Sequence, residues 1–138
     1  MVVLDDHRLF AHILGDQSHE PREPVATTTM WWWRLLSALD DTRGGVFSRR
    51  ATTLGRRDQK RVLRAVAALP NQVKILDLRA LLPAMAVAAR DHRLDLLAAE
   101  AFVVASVLRA PIRLGVATPL LDRAAAAAGI DCRVVVGW

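Results

Sequence analysis

Short apolar runs alternate along this chain with stretches whose apolar residues recur at helical spacing. The opening run, Met1–Leu4, is uninterrupted and closes on Asp5 and Asp6, which predicts a buried strand. Leu9, Phe10, Ile13 and Leu14 then keep a helical period until Gly15 stops it. Residues 16–24 (DQSHEPREP) have the composition of a loop. Val25–Thr28 predicts a second strand and Met30–Asp41 a second helix, after which Gly44 and Gly45 break the pattern. Val62, Leu63, Val66 and Leu69 mark an amphipathic helix over Asp58–Leu69, ended by Pro70 and Asn71. Val73–Leu76, Ile112–Ala117 and Arg133–Val136 predict the remaining strands. Leu78–Arg90 and Asp95–Leu108 predict a helix pair, and Thr118 with Pro119 opens a last helix that Gly129 closes.

Short, mainly apolar strands alternating with amphipathic helices predict a three-layer α/β/α fold with a mostly parallel central sheet. The expected organisation is a single domain over residues 1–138 with a basic helical insertion at about 43–69. In such a sheet a functional crevice lies outside the carboxyl ends of the strands. That rule directs attention to Asp5 and Asp6, to Thr27, Thr28 and Thr29, and to Asp77 and Thr118.

Charge sharpens the picture. The net charge is +5, yet residues 43–64 hold eight basic side chains (Arg43, Arg49, Arg50, Arg56, Arg57, Lys60, Arg61 and Arg64) against Asp58 alone. A basic surface confined to one segment points to a polyanion such as RNA; a solvated arginine-rich helix pair is the plainer explanation. No uncharged apolar run is long enough for a membrane span, because Asp95, Glu100 and Arg109 interrupt the richest one. Asp5 and Asp6 stand where a signal peptide would need basic and then apolar residues. Cys132 has no second cysteine to pair with, which fits a reducing cytoplasm. The four histidines lack metal-ligand spacing, and neither a nucleophile elbow nor a glycine-rich phosphate loop is present.

VVLDDHRLFAHIL resembles the first strand and helix of PIN domains, and VATTTMWWWRLLSAL resembles their second strand and helix. ARDHRLDLLAAEAFVVASVLRAP is similar to their helix pair, and ATPLLDRAAAAAGIDCRVV to their closing helix and strand. The resemblance covers most of the chain outside the basic middle. It implies the ribonuclease fold of toxins of the VapC type, which hold magnesium or manganese between carboxylates and pair with an antitoxin. The chemistry needs such a cluster, since a hard cation takes oxygen ligands, activates water and offsets developing phosphate charge. Mapped onto this sequence, the first acidic position is kept as Asp5. The second falls on Arg34, or on Trp33 if the register slips by one. The third falls on Ala98, and the fourth on Thr118 or Pro119.

Other carboxylates offer partial replacements. Asp95 lies one turn before Ala98 but stands where a helix N-cap belongs. Glu100 is about 200° around the helix from Ala98 and is expected to point elsewhere. Asp122 is placed to lean toward the crevice, and Asp6 is expected to cap the first helix. The resulting expectation is a PIN-like domain with a degenerate metal site, no resident cofactor, and RNA or partner binding in place of efficient catalysis. Arg34 is expected to pair with Asp5 or Asp6 where a metal would sit. One rival is an active, magnesium- or manganese-dependent ribonuclease of a toxin–antitoxin pair, built on Asp5, Asp122 and one of Asp95 or Glu100. The other is an interaction module that binds an antitoxin-like protein.

Trp31, Trp32 and Trp33 cannot share a helix face, because successive residues turn by about 100°. Trp32 is assigned to the core stripe with Leu35, Leu36 and Leu39. Trp31 and Trp33 flank it, and one of them is expected at the interface of a homodimer, a mode of pairing that the resemblance also implies.

Overall fold

The computed structural model describes residues 1–15, 23–40 and 45–136. Its order is β1 (Val2–Leu4), α1 (Asp6–Leu14), β2 (Val25–Ala26), α2 (Thr29–Asp40), α3 (Val46–Thr52) and α4 (Arg56–Ala67). There follow β3 (Val73–Lys74), α5 (Leu78–His92), α6 (Leu96–Leu108), β4 (Ile112–Leu114), α7 (Pro119–Ala127) and β5 (Cys132–Val134). The strands form one parallel sheet in the order β3-β2-β1-β4-β5, with Val2 beside Val25, Val3 beside Ile112, and Val25 beside Val73. The α/β class and the parallel pairing follow the sequence pattern, and β1 takes the central place.

Neighbouring strand residues point to opposite faces, and the core divides accordingly. Val2, Leu4, Val25 and Val73 pack on one face with Leu9, Phe10, Leu35, Phe47, Val62 and Val66 from α1 to α4. Val3, Ala26, Ile112 and Leu114 pack on the other with α5, α6 and α7. The basic segment therefore belongs to one outer layer, and the apolar hairpin of α5 and α6 to the other.

The strands are shorter than their apolar runs. Thr27 and Thr28, expected inside the second strand, lie beyond its end. The Thr27 hydroxyl donates to the Leu4 carbonyl (2.8 Å), and the Thr28 hydroxyl accepts from the Trp31 amide (3.0 Å). Backbone past a strand end must find partners elsewhere, and these hydroxyls supply them. Thr118 occupies the N-cap of α7 as expected, with Pro119 in the first helical position, but its side chain makes no capping bond.

The tryptophan helix is rotated by one residue from the expected orientation. Trp31 and Leu35 are the fully buried pair, while Trp32 is half-buried and Trp33 is 56% exposed. Trp32 lies against α4 and donates its indole N–H to the Val66 carbonyl at 2.6 Å. That carbonyl belongs to the last turn of α4, where no intrahelical donor is available. Trp31 sits in the core with Leu81, Met85 and Ala98, so it cannot reach a second chain, contrary to its expected interface role.

Candidate functional site: a crevice closed by an ion pair

The chain runs from β1 outward through β2 and β3, then returns to the other side of β1 for β4 and β5. The topological switch point therefore falls between β1 and β4. Asp5 follows β1 and Gly115 follows β4, so these two residues meet at the mouth of the crevice.

Asp5 is 2% exposed and, not Asp6, caps α1: its Oδ1 accepts from the Arg8 amide at 2.8 Å. Its Oδ2 accepts from the Gly115 amide at 2.7 Å. Both oxygens are thus committed to backbone donors. Burial raises the pKa of Asp5 above the ordinary carboxylate value, and the two amide bonds pull against that rise. The residue past the end of β4 that meets Asp5 is Gly115, rather than Thr118 or Pro119 further along. A Cβ there would lie 2.4 Å from the His7 Cβ, so this position has no room for a carboxylate side chain.

Asp6, 1% exposed, opens the first turn of α1 and faces α2. Arg34 grips it with both ends of the guanidinium, Nε to Oδ2 at 2.6 Å and Nη2 to Oδ1 at 2.5 Å. A planar fork on a carboxylate is the geometry that arginine offers and lysine lacks. The bond to Asp6 holds the guanidinium above its usual pKa, and the charges of Asp5 and Asp95 add to the effect. Of the two residues considered for the second acidic position, Arg34 is therefore the one at the crevice. Trp33 points away toward α4.

The remaining carboxylates are occupied elsewhere. Asp95 caps α6 through the Ala98 amide (2.8 Å), as its spacing predicts. Asp77 caps α5 through the Arg79 amide and is exposed. Asp122 does not lean toward Asp5. It bonds the thiol of Cys132 in β5, whose pKa burial and Asp122 together push up to about 11.

Glu100, expected to point away from the Ala98 side, is fully buried and crosses to the start of α2. Its two oxygens accept from the Thr29 and Met30 amides, each at 2.8 Å. These amides are among the unpaired donors that open a helix, and the negative charge also suits the helix dipole there. The available signal was a single charge in the apolar run LLAAEAFVVASVL, since an ionised side chain is rarely buried without partners.

A divalent hard cation needs several free oxygen ligands. Among the described residues, no three His, Cys, Asp or Glu side chains gather in a way that could hold one. Asp5 is held by amides and Asp6 by Arg34. The residues present do not fit the magnesium or manganese that the resemblance implies.

The second feature is cationic. Arg49, Arg56, Arg57, Lys60, Arg61 and Arg64 are exposed on α3 and α4, with Arg50 half-exposed; Arg43 lies outside the described residues. Asp58 offsets Arg61 at 3.5 Å, but both are well exposed, so the pair is weak. None of the described helices is long and apolar enough to cross a membrane. No protein-family model matches the chain, and no curated protein matches it either.

Proposed function

We propose that this chain is a PIN-like domain whose metal crevice has become a structural ion pair, and that it binds nucleic acid without cleaving it. The observation that carries the reading is the two-pronged bond of Arg34 to Asp6 beside an Asp5 already held by two amides. Arginine presents donors only and has no lone pair for a metal. Its fork offsets the charge of Asp6 and ties α2 to the first turn of α1. The parallel sheet, with Asp5 at the end of its central strand, agrees with what the family resemblance implies.

The binding half of the reading rests on α3 and α4. Their exposed arginines and Lys60 stand on the opposite face of the sheet from the apolar hairpin of α5 and α6. Such a surface gains affinity by releasing counterions from a phosphate backbone. Affinity for single-stranded RNA should then fall with a log–log salt slope of about −0.7 per phosphate neutralised. Replacing Arg49, Arg50, Arg56 and Arg57 by glutamine should remove most of that slope, and the RNA should stay intact with magnesium or manganese present. RNA affinity unchanged in the quadruple variant would reject the surface, and metal-dependent cleavage would favour the ribonuclease reading.

A further inference from the structure

Between α2 and α4 runs a groove of about 540 Å³ lined by Trp33, Leu36, Leu39, Leu63, Val66 and Ala67, among others. Most of its apolar lining is at least partly covered. The broad exposed faces are the indole of Trp33 (56%) and the side chain of Leu63 (46%). Residues three and four apart are neighbours on a helix, so Lys60 lies next to Leu63 and Arg64, while Arg56 lies one turn beyond Lys60. The groove is therefore edged by the same cations that make up the basic surface. Those cations run from Arg56 to Arg64, about 12 Å along the helix axis.

We propose that the Trp33 groove is a base-stacking platform for single-stranded nucleic acid, with Lys60, Arg64 and Arg56 along its edge holding the phosphates. The proposal rests on the nucleic-acid-binding reading above and names the form of polyanion bound. A flat aromatic ring beside a row of cations matches a strand whose bases are free to splay. A duplex keeps its bases stacked and offers the ring nothing. A partner helix would need a long apolar stripe, whereas here the broad exposed apolar faces are those of Trp33 and Leu63, set beside Arg56, Lys60 and Arg64. Two acids touch the region: Asp40 lines the groove and Asp58 pairs with Arg61. Neither lies among Lys60, Leu63 and Arg64 along the edge.

The test compares fluorescence anisotropy of a short labelled RNA strand, the same strand annealed to its complement, and an abasic strand of equal length. Because Trp33 is exposed, its substitution leaves the core untouched, and circular dichroism checks this. Trp33→Ala should weaken binding of the single strand by on the order of 10- to 100-fold, the contribution of one stacked base. Trp33→Phe should restore most of it. Duplex and abasic binding should not change in Trp33→Ala, while Lys60→Gln with Arg64→Gln should weaken all three ligands. Equal single-strand binding by wild type and Trp33→Ala, with the cation variant impaired, would overturn the stacking platform and leave the nucleic-acid reading standing. Absence of binding by the wild type to any strand at low salt would overturn both. A synthetic helix with a leucine face and glutamate flanks that binds through Trp33, with RNA affinity unaffected by Trp33→Ala, would assign the groove to protein and overturn the proposal.

Discussion

The carboxylate of Glu100, deep in α6, ends 2.8 Å from the amide of Met30, which lies 70 positions earlier in the chain. This contact and its twin to Thr29 fix the first turn of α2, and with it the direction in which Arg34 leaves the helix. Glu100→Ala would leave two part-buried donors without their carboxylate, at up to about 1–3 kcal/mol each. The expected loss is therefore several kcal/mol in urea unfolding. Glu100→Gln keeps one acceptor and should lose less. A loss under about 0.5 kcal/mol in Glu100→Ala, the range of an ordinary surface substitution, would show that the cap is unimportant.

Gly115 packs against His7 with no room for a methyl group between them. Gly115→Ala should destabilise by about 1–3 kcal/mol, as overpacking does. In a His7→Gly background the same change should be milder, because the obstructing Cβ is gone. Additive single and double variants would mean that the two residues do not meet.

The pH dependence of stability should carry the signature of buried Asp5. Its folded pKa is raised, so the folded state holds a proton that the unfolded state has already released. Its contribution is present below the ordinary carboxylate value and is lost as pH climbs through the raised folded value. Asp5→Asn cannot titrate and should flatten this decline just above the usual carboxylate range. The comparison is of slopes, because asparagine also replaces an acceptor facing the Gly115 amide. Parallel stability curves for the two proteins would rule this out.

Much of the fold was legible because parallel strands covered on both faces read as unbroken apolar runs. Val2–Leu4 and Val25–Ala26 are of this kind. Strand ends were overrun where hydroxyl bonds, invisible in a pattern of apolar and polar letters, take over from the ladder at Thr27 and Thr28. The rotation of α2 was illegible for a different reason. Trp31, Trp32 and Trp33 are equally apolar, so the apolar pattern does not choose which of them faces the core. The partners of Glu100 were not legible because residues 98–101 are buried on every side of α6, so helical spacing does not show which neighbour takes the charge. Asp95, by contrast, announced its capping role through its position relative to the apolar run.

Cys132 should be a slow nucleophile. Burial and the neighbouring Asp122 carboxylate keep the thiol pKa near 11, so little thiolate is present at neutral pH. Alkylation by iodoacetamide should therefore lag well behind a free thiol, and Asp122→Asn should accelerate it by lowering the thiol pKa. A wild-type rate equal to that of a small-molecule thiol at the same pH would contradict the placement of Asp122 against β5.

The closing of the crevice by Arg34 is tested most directly by titration calorimetry of the full chain with manganese, beside the Asp5→Asn variant. The arrangement of Asp5, Asp6, Arg34 and Gly115 predicts no saturable binding in either protein at micromolar metal. Micromolar binding by the wild type that disappears in Asp5→Asn would mean that the carboxylates are open to a metal, and the ion-pair account would be wrong.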